Sequence, residues 1–198
     1  AVKSGNLIQV GKIKFIKSTN KTYDTYHKNI EISFIGKSNS GKSSAINIIS
    51  NKNIAATSKI PGKTKTINFF KIKKYYYFTD TPGYGYAKLK KILLTNIKNL
   101  INNYVTNRKP LTGIILLINS KNYLKKNTYK ILNIKNKKNI HILLTKCDKL
   151  TKIQQNKIIT NIKHNLKNTK NITYQLFSVK NKTYTNKLKI KIKQWICL

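Results

Sequence analysis

The stretch Gly36-Lys37-Ser38-Asn39-Ser40-Gly41-Lys42-Ser43 decides the fold of this chain. It matches the pattern G-x-x-x-x-G-K-[ST], in which glycines let backbone amides turn towards phosphate oxygens. A predicted strand (32–35) precedes it and a predicted helix (42–50) follows it, which is the context that the pattern requires. We therefore expect a phosphate site at a helix N-terminus, where Lys42 reaches the β- and γ-phosphates and the Ser43 hydroxyl ligates Mg²⁺.

A second motif, Thr145-Lys146-Cys147-Asp148, follows the apolar run 140–144 and bears on the base. A carboxylate at Asp148 can accept the N1–H and the N2 amino group of guanine, whereas adenine has no such donors on that edge. The aliphatic stem of Lys146 can pack over the purine plane. Phe177-Ser178-Val179 ends another predicted strand and is placed to offer backbone amides to the guanine oxygen. Guanine is therefore predicted over adenine.

The few carboxylates of the chain support the same chemistry. Only four acidic residues occur, and they are Asp24, Glu31, Asp80 and Asp148. Asp80 opens the segment Asp80-Thr81-Pro82-Gly83, which matches D-x-x-G. A carboxylate at this place acts on Mg²⁺ through water, and the Gly83 amide can donate to the γ-phosphate.

The segment Pro61-Gly62-Lys63-Thr64-Lys65-Thr66 lies between these two motifs, where a nucleotide-sensitive loop is expected. The hydroxyl of Thr64 can ligate Mg²⁺ and its amide can bind the γ-phosphate, which would order the loop only in the triphosphate state. A plain polar loop residue is the alternative interpretation of Thr64.

The phrases P-G-K-T-x-T-x-N-F (61–69) and D-x-P-G-Y-G-Y-A (80–87) resemble those of the EngB (YihA/YsxC) family, in the class of P-loop GTPases that includes TrmE, Era, EngA and the septins. The resemblance runs roughly from residue 13 to the C-terminus. It implies GTP hydrolysis to GDP and phosphate, assembly of the large ribosomal subunit (rRNA and ribosomal proteins), normal septation, and Mg²⁺ ligation by Ser43 and Thr64. The chain departs from the family at Asn119, where an acidic residue is usual.

Residue Tyr84 follows the D-x-x-G segment, where many GTPases have a glutamine that positions the attacking water. In related GTPases an asparagine at the place of Asn39 helps hold K⁺ beside the phosphates, so K⁺ is a second predicted cation. The predicted catalytic residues are Lys42, Thr64, Asp80 and Gly83. The predicted GTP-binding residues are Gly36, Lys37, Ser38, Asn39, Ser40, Gly41, Lys42, Ser43, Gly62, Lys63, Thr64, Lys65, Thr66, Asp80, Thr81, Pro82, Gly83, Thr145, Lys146, Cys147, Asp148, Phe177, Ser178 and Val179.

Alternating apolar runs predict an α/β fold of the P-loop NTPase type, with three layers and helices on both faces of a mostly parallel sheet. One hairpin, 67–72 with 75–79, makes the sheet mixed. The other predicted strands are 13–16, 114–118, 140–144 and 172–177, and the other predicted helices are 90–104, 123–134, 153–166 and 185–195. We expect a single domain over residues 1–198, with a flexible start at 1–12.

The net charge of +37 has two possible origins. A strongly basic surface suits polyanionic rRNA. However, Arg108 is the only arginine among the 41 basic residues, and nucleic-acid surfaces usually exploit arginine. An A/T-rich genome, such as that of a reduced bacterium, would also enrich Lys, Asn, Ile and Tyr without selection for RNA.

The apolar run 114–118 is too short for a membrane span, and the two cysteines, Cys147 and Cys197, lack metal-binding spacing. We therefore expect a monomer in the cytoplasm without a membrane partner. Two other classes remain open from the residues alone. One is a P-loop kinase or ATPase, and the other is a non-hydrolysing RNA-binding chaperone.

Overall fold

The computed structural model describes residues 14–19, 29–55, 66–84, 91–123, 138–167 and 169–196. The strands are β1 (Lys14–Thr19), β2 (Ile30–Gly36), β3 (Ile67–Lys73), β4 (Tyr76–Asp80), β5 (Leu111–Asn119), β6 (Asn139–Thr145) and β7 (Ile172–Phe177). The helices are α1 (Lys42–Ser50), α2 (Lys91–Asn107), α3 (Lys152–Asn165) and α4 (Lys182–Ile196). The predicted helix 123–134 lies outside the described residues apart from Tyr123, which follows a 3-10 turn, Ser120–Asn122. The expected flexible start, residues 1–12, also lies outside them.

The seven strands form one sheet in the order β1-β3-β4-β2-β5-β6-β7. Strand β3 runs antiparallel to both of its neighbours, and the other neighbouring pairs are parallel. This confirms the predicted mixed sheet with a single reversed strand. The prediction of the hairpin turn was wrong by one residue, since Tyr75 lies in the turn with a φ of 69° and β4 begins at Tyr76.

Strand β1 is longer than predicted, because Ser18 and Thr19 continue the pairing with β3 rather than starting a loop. A register irregularity between Phe15 and Lys17 accompanies this pairing.

The apolar run of β5 is continuous because both faces of this central strand are covered. Ile115 and Leu117 point to one side, where they join a core formed with α1 and α4. Ile114 and Leu116 point to the other side, where the core includes residues of α2 and α3. Two helix layers therefore enclose the sheet, which confirms the predicted three-layer α/β architecture.

Helix α4 packs against β5 through a close approach. Its residues Leu188, Ile192 and Trp195 are buried against the sheet. A Cβ atom at Gly113 would lie 2.4 Å from Cε3 of Trp195, so the indole requires a residue without a side chain at this point.

A buried polar network lies at the amino end of β2. The carboxylate of Glu31 accepts a hydrogen bond from Tyr104 Oη at 2.9 Å and from Arg108 Nε at 3.0 Å, and Arg108 also forms an ion pair with it. The Tyr104 hydroxyl also lies 3.0 Å from Thr79 Oγ1, and Lys138 Nζ donates to the Arg108 carbonyl oxygen at 2.8 Å. Burial lowers the pKa of Lys138 to about 8, against the opposing charge of Glu31. This network joins β2, β4 and α2 at the end of the sheet away from the phosphate loop.

Candidate functional site

The loop between β2 and α1 has the backbone conformation that a phosphate cradle needs. Gly41 has a φ of 98°, in the left-handed region that favours glycine, and Asn39 has a φ of 59°. A Cβ atom at Gly36 would lie 2.7 Å from the Leu117 carbonyl oxygen, so the loop can begin this close to β5 only with glycine. The loop leads directly into the first turn of α1, whose free amides and dipole favour an anion.

The side chain of Lys42 is folded back over this loop. Its Nζ donates to the carbonyl oxygens of Gly36 at 3.2 Å and Lys37 at 3.3 Å, and the residue is buried. Burial lowers the pKa of Lys42, and the charge of Asp80 opposes this effect. A partly desolvated ammonium at this place is suited to an incoming anion, because phosphate oxygens offer a stronger acceptor than carbonyl groups.

The carboxylate of Asp80 is buried beside the loop, and only one of its oxygens has a partner. Asp80 Oδ2 accepts a hydrogen bond from Ser43 Oγ at 2.9 Å, whereas Asp80 Oδ1 has no hydrogen-bond partner. Burial raises the pKa of Asp80, against the lowering effects of Lys42 and the Ser43 hydroxyl. A buried carboxylate oxygen without a partner in the protein is able to accept a bond from a ligand.

These two side chains fit Mg²⁺ as it is bound in phosphate-transfer sites. Mg²⁺ takes oxygen ligands, keeps several waters and uses one or two protein groups together with substrate phosphates. Within the described parts of the chain, no group of three or more His, Cys, Asp or Glu side chains could hold a metal ion. The Ser43 hydroxyl and the unpartnered Asp80 oxygen therefore suit a metal that arrives with a nucleotide.

The segment after Asp80 is attached to the phosphate loop. The Ser38 amide donates to the Tyr84 carbonyl oxygen at 3.1 Å, and Ser38 Oγ donates to the Gly83 carbonyl oxygen at 3.3 Å. A Cβ atom at Gly83 would lie 2.7 Å from the Ser38 Cα atom, so this contact requires glycine. Burial raises the pKa of Tyr84 to about 12, so its ring is a neutral phenol at ordinary pH.

Thr81 fixes the start of the same segment, because its hydroxyl donates to the Phe34 carbonyl oxygen of β2 at 2.9 Å. Pro82 is buried beside it.

The second motif forms a short turn at the end of β6. Lys146 has a φ of 60°, and Cys147–Lys149 form a 3-10 turn on which Asp148 is exposed. Ser120 Oγ donates to the Thr145 carbonyl oxygen at 2.7 Å and so ties this strand end to the end of β5. Burial and, to a smaller extent, the charge of Asp148 raise the pKa of the Cys147 thiol.

A cavity of about 420 Å³ opens beside this turn. Its lining includes Cys147, Asp148, Gln155, Ser178 and Tyr184. Ser178 is buried directly after β7, and its hydroxyl accepts from the Lys180 amide at 3.3 Å. A cavity between a carboxylate on one strand end and backbone amides beyond the next strand can take a planar, hydrogen-bonding ring.

The structure brings most of the predicted site residues to the carboxyl edge of the parallel strands, where ligands bind in such sheets. The residues of the loop at 36–43, of 80–83, of 145–148 and of 177–179 all lie there. Gly62, Lys63, Thr64 and Lys65 lie outside the described residues, and Thr66 forms a bend just before β3. Asn119, which departs from the resembled family, accepts a hydrogen bond from the Lys121 amide at 3.1 Å and so is satisfied locally.

Two buried side chains near the site are not among the residues that the sequence predicts. Gln155 of α3 donates to carbonyl oxygens of the turn that holds Asp148, and Ser120 ties that turn's strand to β5. Ser120 had one usable signal, since it lies two residues after the predicted strand 114–118, which ends at the same edge.

The glycine loop, the buried lysine and the half-satisfied carboxylate at the end of a three-layer α/β sheet define a P-loop nucleotide-binding protein. A sequence model of the family described as "50S ribosome-binding GTPase" matches residues 31–146, more than half of the chain. The chain is 38% identical over 179 residues to the "Probable GTP-binding protein EngB" of Neisseria gonorrhoeae, which covers 87% of this chain and 85% of that protein. This chain belongs to the EngB family of GTP-binding proteins, and its activity is GTP hydrolysis.

Two solved structures have the same fold. The crystal structure of a probable GTP-binding protein engB aligns with a TM-score of 0.65 and 21% identity, over 84% of this chain and 98% of that one. The structure of Era in complex with MgGDPNP and nucleotides 1506–1542 of 16S ribosomal RNA aligns with a TM-score of 0.64 and 17% identity, over 83% of this chain and 56% of that one. Among the helices within the described ranges, none is long and apolar enough to cross a membrane.

Proposed function

We propose that this GTPase acts as a nucleotide switch in assembly of the large ribosomal subunit, in the cytoplasm and as a monomer, and that cell division with normal septation depends on it. The observation that carries the proposal is the buried Asp80 carboxylate, which is bonded to Ser43 through one oxygen and lacks a partner at the other. A site that is incomplete without metal and phosphate is suited to change state when GTP binds and leaves.

The phosphate end of the site has a division of roles among its residues. Lys42 exchanges its two carbonyl acceptors for β- and γ-phosphate oxygens, and the amides of residues 37–43 surround the phosphates. The residues that would hold Mg²⁺ are Ser43 and Thr64, through their hydroxyls, and Asp80, through a water molecule. When bound, Mg²⁺ neutralises charge on the β- and γ-phosphate oxygens.

The Gly83 segment transmits the nucleotide state. Its carbonyl oxygen accepts a hydrogen bond from Ser38 Oγ, which attaches the segment to the phosphate loop. A γ-phosphate recruits the Gly83 amide and the loop around Thr64, and both are released after hydrolysis. Ser38 is therefore the residue that connects the phosphate loop to the Gly83 segment.

At the other end, Asp148 reads guanine through its N1–H and N2 amino group, and Lys146 covers one face of the purine. Backbone amides near Ser178 bind the guanine oxygen. As a test, Asp148→Asn weakens GTP binding and admits xanthine nucleotide, measured by titration of fluorescent analogues. Unchanged GTP affinity would remove Asp148 from this role.

Large-subunit binding is supported by the family description and by the charge of the chain. The matching family is described as ribosome-binding, and the net charge of +37 favours a polyanionic partner. The charge alone produces non-specific RNA binding that weakens steeply with salt. Nucleotide dependence therefore separates the specific partner from general attraction.

The decisive experiment is co-sedimentation of the full chain with purified large and small ribosomal subunits at 200 mM salt, with GDP or a non-hydrolysable GTP analogue. We expect binding to large subunits with the analogue, loss of binding with GDP, and no binding to small subunits. Equal binding in all four conditions would overturn the switch and would point to an RNA-binding chaperone driven by charge.

Potassium is the second cation of the proposal. Asn39 is exposed in the phosphate loop, and Tyr84 cannot position water as a glutamine amide does. We expect faster GTP hydrolysis in KCl than in NaCl at equal ionic strength. Equal rates for the wild-type chain would exclude this role, and Asn39→Ala serves as the variant that abolishes any difference.

A further inference from the structure

The turn that carries Asp148 is short and has few backbone hydrogen bonds of its own. It comprises three residues, Cys147–Lys149, closed by the Leu150 amide on the Cys147 carbonyl oxygen at 3.1 Å and by the Lys149 amide on the Lys146 carbonyl oxygen at 3.1 Å. Short 3-10 turns have poor hydrogen-bond geometry. Asp148 is exposed, so its direction depends on how firmly the backbone of the turn is held.

One buried side chain holds both ends of this turn. Gln155 Nε2 donates to the Cys147 carbonyl oxygen at 2.9 Å and to the Leu150 carbonyl oxygen at 3.1 Å. Gln155 itself is 8% exposed, and its bond to the Cys147 carbonyl oxygen is buried. An unmade hydrogen bond at such a place leaves a buried polar group unsatisfied, which is costly.

The first turn of α3, which carries Gln155, is held by a capping box. Thr151 and Gln154 form a capping box at the start of α3, with bonds of 3.3 Å and 3.0 Å between their side chains and backbone amides. The Gln155 amide donates to the Thr151 carbonyl oxygen at 2.9 Å, so its backbone belongs to the first helical turn. The helix, the Gln155 side chain and the turn therefore form one connected unit.

We infer that Gln155 is a positioning residue that fixes the turn of Asp148 for recognition of the guanine base. The inference rests on the proposed role of Asp148. Bidentate recognition requires the carboxylate to be held within roughly 0.5 Å of its productive place. A turn that is already ordered before binding loses less conformational freedom when the base arrives.

The chemistry of the side chain explains why it is an amide. Both acceptors are carbonyl oxygens, and the amide group of glutamine supplies two N–H donors from one atom. Met has a similar length and no donor, and an ionised Glu has only acceptors, which repel both carbonyl oxygens. Gln194 provides the control, because it is an exposed glutamine near the end of α4 and is not among the residues that line the cavity beside Asp148.

The test compares the wild-type chain, Gln155→Met and Gln194→Met in binding of GDP and IDP, whose base lacks the N2 amino group. We expect Gln155→Met to weaken GDP binding about tenfold, which is about 1.4 kcal/mol, and to reduce the preference for GDP over IDP. Gln194→Met keeps the wild-type affinities. In GTP turnover, Gln155→Met raises KM and leaves kcat unchanged, because the chemistry occurs at the phosphate end.

One result would overturn the inference: the wild-type chain prefers GDP over IDP, and Gln155→Met binds both nucleotides as tightly as the wild type does. That result would leave the proposed role of Asp148 unaffected. A wild-type chain that binds GDP and IDP equally would instead refute the proposed role of Asp148. If Gln155→Met does not fold, Gln155→Glu is measured at pH 7 and pH 5. We expect weak GDP binding at pH 7 and partial recovery at pH 5, where a protonated carboxyl regains one donor. The inference is contradicted if the ratio of the GDP affinity of Gln155→Glu to that of the wild type is the same at pH 7 and pH 5.

Discussion

Two buried carboxylates occupy opposite ends of strands in the centre of the sheet, and their surroundings differ. Glu31, at the amino end of β2, has both oxygens engaged by Arg108 and one of them by Tyr104 as well. Asp80, at the carboxyl end of β4, has Ser43 on one oxygen and no partner on the other. Both oxygens of the first carboxylate are bonded within the chain, whereas one oxygen of the second remains open to a ligand. In a chain with four acidic residues, this difference separates a structural anchor from a functional group.

The largest effect is expected at Glu31. Arg108→Met leaves Glu31 charged and buried without its ion-pair partner, so the free energy of unfolding falls by about 3–5 kcal/mol. Urea denaturation of the nucleotide-free chain measures this loss. The double variant Glu31→Gln/Arg108→Met recovers part of it, because no buried charge remains. A double variant less stable than Arg108→Met would contradict the structural role of the Glu31–Arg108 ion pair.

Tyr104→Phe tests the same carboxylate through a neutral donor. Glu31 loses one hydrogen bond and the Thr79 hydroxyl loses a neighbour, so the free energy of unfolding falls by about 1–3 kcal/mol. The matched control is Tyr123→Phe, which removes a single bond between neutral groups, Asn161 Nδ2 to Tyr123 Oη at 2.8 Å. Thermal unfolding should show a smaller loss for the control. Equal losses would mean that the charge of Glu31 adds nothing to the Tyr104 bond.

At Asp80 we expect little change in stability and a large change in ligand response. Asp80→Asn keeps an acceptor for the Ser43 hydroxyl, so the free energy of unfolding of the nucleotide-free chain stays within about 1 kcal/mol of wild type. The extra thermal stability that MgGTP gives over metal-free GTP disappears in the variant. A variant that still responds to Mg²⁺ as wild type does would break the comparison between the two carboxylates.

The pH dependence of stability gives the smallest effect. Because burial raises the pKa of Asp80 in the folded chain, the unfolded chain binds fewer protons at this group. The wild type therefore loses stability relative to Asp80→Asn as pH rises from the unfolded pKa, about 3.9, through the raised folded value. Urea denaturation of both chains across this range measures the divergence. Curves that stay parallel would show that Asp80 is not penalised by burial.

The functional edge was predictable because its signals are local. The phosphate loop depends on residues spaced within 36–43, and the turn at Asp148 directly follows a short apolar strand. Neither prediction requires knowledge of contacts between distant parts of the chain. The order of strands and helices then places both motifs at one edge, since parallel strands end together.

The anchor and the positioning residue were not predictable in this way. Glu31 and Arg108 are 77 residues apart in sequence, and Tyr104 lies 73 residues from Glu31, so no local pattern joins them. Gln155 is one of two adjacent glutamines on a polar helix, and only the packing of α3 shows which of them is buried. The turn at Tyr75 was misplaced by one residue because the run of tyrosines at 75–77 has no alternation to mark where the strand starts.

The anchor also limits what this enzyme can supply to its own reaction. Phosphoryl transfer in GTPases is often accelerated by a guanidinium group that reaches the γ-phosphate, from the same chain or from a partner. The only guanidinium of this chain is buried on Glu31, at the end of the sheet opposite to the phosphate loop. Arg108 is therefore not placed to supply that group to the γ-phosphate.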